Sequence, residues 1–193
     1  MSKASSLVVA FHSGYGHTRR VADAVVAGAQ SVAGVRVEAI DVQKIDDAGW
    51  ATLAAADGII FGAPTYMGGA SAPFKAFADA SASVWFSQAW KDKIAGGFTC
   101  SMAMSGDKYS TLMYFVTLAM QHSMIWVGTG MLPASRSGHP DEINRLGSYI
   151  GVMAQADNVA PEISPPNGDL ETAHAYGKRV ASTVIHRRHR PGA

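Results

Sequence analysis

The sequence predicts an α/β domain built on an open, mostly parallel sheet with helices on both faces. Three observations carry that expectation. Short, unbroken apolar runs recur along the chain, as strands buried on both faces should read. Longer stretches with helical spacing separate them. Three of the runs end in segments rich in small and hydroxylated residues that lead toward the next helix, the order expected of a strand–loop–helix unit. Five strands alternating with five helices leave few topologies, because such crossovers are right-handed.

The apolar run 7–11 is the first strand. Residues 18–32 follow as a helix, with Val21, Ala24, Val25, Gly28, Ala29 and Val32 on one face. Val35, Val37 and Ala39 alternate with Arg36 and Glu38, which predicts a second strand over 35–42. A short helix at 49–56 leads to a buried strand at 58–62. One helix over 73–86 then turns Phe74, Phe77 and Ala78 inward. Residues 94–100 read as the fourth strand, 111–122 as a helix and 124–127 as a short fifth strand. The stretch 129–166, rich in glycine, proline and polar residues, reads as irregular. A last helix over 169–186 follows Pro165-Pro166-Asn167-Gly168, with Asp169 as its N-terminal cap. At ~100–200 residues per domain, 1–193 reads as a single domain, with 186–193 a basic, flexible tail.

Composition excludes several classes. Sixteen Lys and Arg against fifteen Asp and Glu are too balanced for a protein that binds nucleic acid by counterion release. The single Cys100 excludes an intramolecular disulfide framework and a cysteine-cluster zinc site. No apolar run approaches the ~18 residues of a membrane span, and the run at 7–11 is too short for a signal peptide. The expectation is a cytoplasmic protein without membrane insertion.

In such sheets ligands bind beyond the carboxyl ends of the strands. The segment His12-Ser13-Gly14-Tyr15-Gly16-His17-Thr18 follows the first strand and opens the first helix. Glycines let backbone fold around an anion, hydroxyls donate to it, and a helix N-terminus supplies free N–H groups, so this is a phosphate site by composition and placement. Arg19 stands where a dinucleotide fingerprint needs its third glycine, and the Walker loop is absent. A mononucleotide with one terminal phosphate fits better. After the third strand, Pro64-Thr65-Tyr66-Met67-Gly68-Gly69 offers polarizable surface to a flat ring. After the fourth, Thr99-Cys100-Ser101-Met102-Ala103-Met104-Ser105-Gly106 offers backbone donors for a second edge. Cys100 reads as a small packing residue rather than a nucleophile.

These segments together resemble the flavodoxin-like FMN-binding superfamily, and within it WrbA-type NAD(P)H:quinone oxidoreductases, over residues 6–187. The resemblance implies a five-stranded parallel sheet of order 2-1-3-4-5. It implies FMN, with the phosphate on Ser13, Tyr15, Gly16, His17 and Thr18. The isoalloxazine and ribityl would lie on Pro64, Thr65, Tyr66, Met67 and Gly68, and the pyrimidine edge on Thr99, Cys100, Ser101, Met102, Ala103 and Gly106. His122 stands where the family has a histidine near the active site, which makes it the candidate proton donor or acceptor. NAD(P)H and a quinone-like molecule would be the substrates, in a homodimer or homotetramer.

FMN chemistry requires the protein to bind, orient and admit substrates, not to supply an acid or base. The rival reading is a flavodoxin-type electron carrier, which a net charge of +1 disfavours because such carriers dock through a strong single-sign surface. A hydrolase is disfavoured because Gly69-Ala70-Ser71-Ala72-Pro73 breaks the G-x-S-x-G pattern at its last position. Trp85, Phe86 and Trp90 lie within seven residues of one another, beside a predicted cofactor loop. That cluster predicts association between copies.

Overall fold

A computed structural model describes residues 4–134 and 139–188. Its elements run β1 (Ser5–Phe11), α1 (His17–Gln30), β2 (Val35–Asp41), α2 (Asp47–Ala55), β3 (Gly58–Tyr66), β4 (Gly69–Ala70), α3 (Ala72–Ala80), α4 (Ala82–Phe86), β5 (Ile94–Ser101), α5 (Lys108–Gln121), β6 (Ile125–Trp126), β7 (Val152–Gln155) and α6 (Asn167–Arg188). The main sheet is parallel in the order β2-β1-β3-β5-β6, which is the expected 2-1-3-4-5 order of the five anticipated strands. This is the flavodoxin-like fold.

Strand alternation divides the core. Leu7, Val9 and Phe11 of β1 point to the layer of α1 and α6, while Val8 and Ala10 point to the layer with Phe61, Phe74, Trp90 and Phe115. All of β1 is buried, which is why it reads as an unbroken apolar run. On the first face α1 and α6 nearly touch backbones. A Cβ on Gly28 would fall on the His174 carbonyl, and one on Gly177 on the Val25 carbonyl.

The expected elements need correction in several places, among them the third strand, which runs past 62 to Tyr66 and pairs with the short β4. The helix over 73–86 is two helices, α3 and α4, meeting at Ser81. The Ser81 hydroxyl donates to the Ala78 carbonyl at 2.7 Å, the kind of side-chain bond that competes with helix continuation. The second strand stops at Asp41, whose side chain accepts from the Gln43 amide and turns Val42 into a 3-10 helix. Asp169 is no cap. It lies inside α6, and its carboxylate takes a two-pronged, buried ion pair from Arg145 at 2.7 and 3.0 Å and the Gln155 amide at 2.8 Å. The irregular stretch hides β7, four residues that pair with the second half of β5. Of the basic tail, 189–193 lies outside the described residues.

The fifth position of the sheet is therefore filled twice. β6 pairs with Ile94 and Ala95 at the start of β5, and β7 pairs from Phe98 onward. Between them the fully buried Tyr176 of α6 bridges the break. Its hydroxyl accepts from the Gly97 amide at 3.0 Å and donates to the Val127 carbonyl at 2.6 Å.

Candidate cofactor site

The carboxyl ends of β1, β3, β5 and β7 surround a cleft of about 420 Å³. Tyr15, His17 and Thr18 line it from the first loop and the first turn of α1, Pro64 and Tyr66 from the end of β3, Cys100 and Ser101 from the end of β5, and Met102 from the loop after it. A fourth wall, Ala156, Asp157, Asn158 and Val159, comes from the segment after β7. Sequence reasoning missed this wall because it missed β7. The available signal was Val-Met-Ala followed by small and polar residues, the same strand-end pattern that marked the other loops.

The first loop is folded by its own serine. Ser13 Oγ accepts from the Gly16 amide at 3.2 Å and the Arg19 amide at 3.1 Å. Gly16 caps α1 in the left-handed region at φ 93°, and a Cβ there would press on Pro161. The chain is thereby turned so that α1 starts against the cleft. Among the described residues, the His17 and Thr18 amides of that first turn have no protein acceptor. His17 Nε2 meets the Val159 carbonyl at 2.8 Å, and Arg20 donates to the Pro161 carbonyl at 2.5 Å. The first loop and the fourth wall are thus clamped together.

Thr65 and Thr99 do not line the cleft. Thr65 Oγ1 lies 2.8 Å from Thr99 Oγ1 and 2.7 Å from Thr111 Oγ1, and Thr99 donates to the Ala63 carbonyl at 2.7 Å. The pair braces the second and third loops from beneath. Met67 and Gly68, at φ 48° and 80°, form the turn between β3 and β4, with Met67 fully exposed. Gly106 is left-handed at φ 52°. The Ala103 carbonyl accepts from Lys108 at 2.6 Å. Cys100 is buried, and burial pushes its thiol up to about 12, so it stays protonated and un-nucleophilic at neutral pH.

His122 is not in the cleft of its own chain, which corrects the expectation of a catalytic histidine there. It caps the far end of α5, one helix length of ~21 Å from the third loop. Its ring packs on Trp90 at 4.4 Å and its Nε2 meets Ser81 Oγ at 2.9 Å. Burial holds its pKa below the ordinary 6.5. The aromatic cluster also divides. Trp90 is fully buried against Trp50, Phe61 and Phe77, whereas Phe86 is 84% exposed and Trp85 44%.

The donor set suits a phosphorylated planar group: helix-start amides and a threonine hydroxyl at one end, a tyrosine, a proline and a methionine beyond. The model for the NADPH-dependent FMN reductase family matches residues 7–138. The chain belongs to that family. FMN is its cofactor, and the protein is an FMN oxidoreductase. A flavodoxin, FldP, of Pseudomonas aeruginosa is 46% identical over 94% of this chain and 96% of its own length. An NAD(P)H dehydrogenase (quinone) of Geotalea uraniireducens is 33% identical over 91% of this chain and 96% of its own. The crystal structure of a WrbA-like flavodoxin from Agrobacterium tumefaciens superposes with a TM-score of 0.75 at 47% identity, covering 97% of this chain and all of that one. Among the described residues no helix is long and apolar enough to cross a membrane.

Proposed function

We propose that this protein transfers two electrons from NAD(P)H to a quinone or a similar small acceptor. The observation that carries the reading is the cleft at the strand ends, open to solvent and rimmed by exposed Tyr15 and Met102. A second flat molecule has an apolar approach to whatever lies against Tyr66. The quinone dehydrogenase relative supports the same chemistry.

FMN, when bound, supplies hydride acceptance and delivery of an electron pair. The chain's part is placement. Ser13 and Gly16 shape the first loop, and the Tyr15, His17 and Thr18 positions hold the phosphate. Pro64 and Tyr66 bound the ring and ribityl, on a loop set by Thr65, Met67 and Gly68. Cys100, Ser101 and Met102 face the pyrimidine edge, on a loop set by Thr99, Ala103 and Gly106. Asp157 and Asn158 join them from the fourth wall. With this cleft shared by both substrates, NAD(P)H departs before the acceptor enters. Initial rates at several benzoquinone concentrations should therefore give parallel double-reciprocal lines, and intersecting lines would exclude a shared site.

The flavodoxin relative favours a second reading, an electron carrier without turnover of its own. The same assay separates the two, since a carrier oxidises neither NADH nor NADPH at a catalytic rate.

The proposed assembly is a homodimer or homotetramer in which a neighbouring copy completes the site. Trp85 and Phe86 lie next to each other, exposed on α4, and closed symmetry would bury such a patch against its counterpart. Light scattering on the FMN-loaded protein should give a mass of two or four chains. A one-chain mass in a sample that turns over would overturn it.

A further inference from the structure

Lys108 opens α5 with no exposed surface, an uncommon place for a lysine. Its ammonium donates to Ser101 Oγ at 2.7 Å, the Ala103 carbonyl at 2.6 Å and the Met104 carbonyl at 2.9 Å. Three donors thus meet three acceptors. All three acceptors lie on the last residue of β5 and the loop that leads to α5, where Ser101 and Met102 line the cleft. Gly106 and Asp107, both left-handed at φ 52° and 51°, turn the chain so that Lys108 returns beneath that loop. One cation therefore gathers the loop from inside, a hydrogen bond away from a lining residue.

We propose that Lys108 is a positioning residue for the FMN-lining loop 101–104, and that FMN affinity follows its state of protonation. The proposal rests on the cleft being the FMN site. Cys100 faces the ammonium from β5, Asp169 from α6 and Arg145 from the segment before β7, while Asp107 and Tyr109 flank it in sequence. Cys100 is held protonated by burial and Asp169 is engaged by Arg145. Burial lowers the Lys108 pKa to about 8, so this group loses its charge as the solution turns mildly alkaline. The neutral amine keeps two donors for three acceptors, and the loop loses a charge-assisted bond. The FMN phosphate, with a second pKa of about 6, does not titrate in this range.

The test is titration of the FMN-free protein with FMN, read by flavin fluorescence, from pH 7 to 9.5. Affinity of the parent should fall about tenfold across that range, the factor of one lost hydrogen bond. Lys108→Arg, charged throughout, should stay within about threefold of the parent at pH 7 and show no slope. Lys108→Met should start about tenfold weaker and also show none. A parent without a slope, a Lys108→Met protein with the parent's affinity, or either variant with the parent's slope overturns the proposal. A parent that takes up no FMN at pH 7 overturns the reading of the cleft instead, and this proposal with it.

Discussion

Thr18→Glu is expected to weaken FMN binding by at least about 100-fold, because two unit charges 4–6 Å apart at an effective dielectric near 20 repel by about 3–4 kcal/mol. Thr18 sits in the first turn of α1, is 3% exposed and lines the cleft. A carboxylate there faces the same helix-start amides that the phosphate would use. The helix dipole tolerates that acid, so the loss should be one of binding rather than folding. Thermal unfolding of the FMN-free variant checks that point, and equilibrium dialysis against FMN measures the loss. Raising the salt concentration should recover little of the affinity, since a repulsion between buried charges is screened only weakly. Thr18→Ser, which keeps the hydroxyl, should bind close to the parent. Retention of parent affinity by Thr18→Glu would mean that the phosphate lies elsewhere.

The second large effect concerns the break in the sheet. Tyr176→Phe should cost about 3 kcal/mol of stability, because it leaves both a buried amide and a buried carbonyl without a partner at ~1–3 kcal/mol each. The groups are the Gly97 N–H and the Val127 carbonyl, at the point where β5 passes from β6 to β7. Ordinary ladder bonds cannot replace the hydroxyl, since neither strand spans that position. For a chain of this size the melting temperature should drop by roughly 6–12 °C. Urea unfolding of the FMN-free protein gives the free energy without the contribution of ligand binding. An unchanged midpoint would show that the tyrosine is not what joins the two halves of the fifth position.

Much of the architecture was legible because buried parallel strands announce themselves locally. Leu7 to Phe11 has no exposed face, so the run needs no context to be read. The loops at 12–18, 62–69 and 99–106 were legible for a related reason. A chain that must wrap a ligand at a strand end needs small and hydroxylated residues there, and such residues stand out between apolar runs. Of the residues named from the sequence, Tyr15, His17, Thr18, Pro64, Tyr66, Cys100, Ser101 and Met102 meet around one cleft, while Thr65 and Thr99 brace it from below.

Only the tertiary structure decided the rest, because it depends on partners distant in sequence. Val152–Gln155 is a strand through the open second half of β5, not through its own four residues, and the fourth wall exists only where β7 delivers it. Asp169 looks like a helix cap beside its neighbours, yet Arg145, 24 residues away, claims its carboxylate. His122 follows a helix, but that helix carries it to the opposite end of the strands from the cleft. Trp90 and Phe86 are four positions apart and cannot be told apart by composition; the stack of Trp50, Phe61 and Phe77 takes one into the core and leaves the other to solvent. Local pattern determines which segments form strands, helices and ligand loops. Which of their side chains face a ligand, a partner or each other is set by packing between elements, where burial and hydrogen-bond satisfaction are decided jointly.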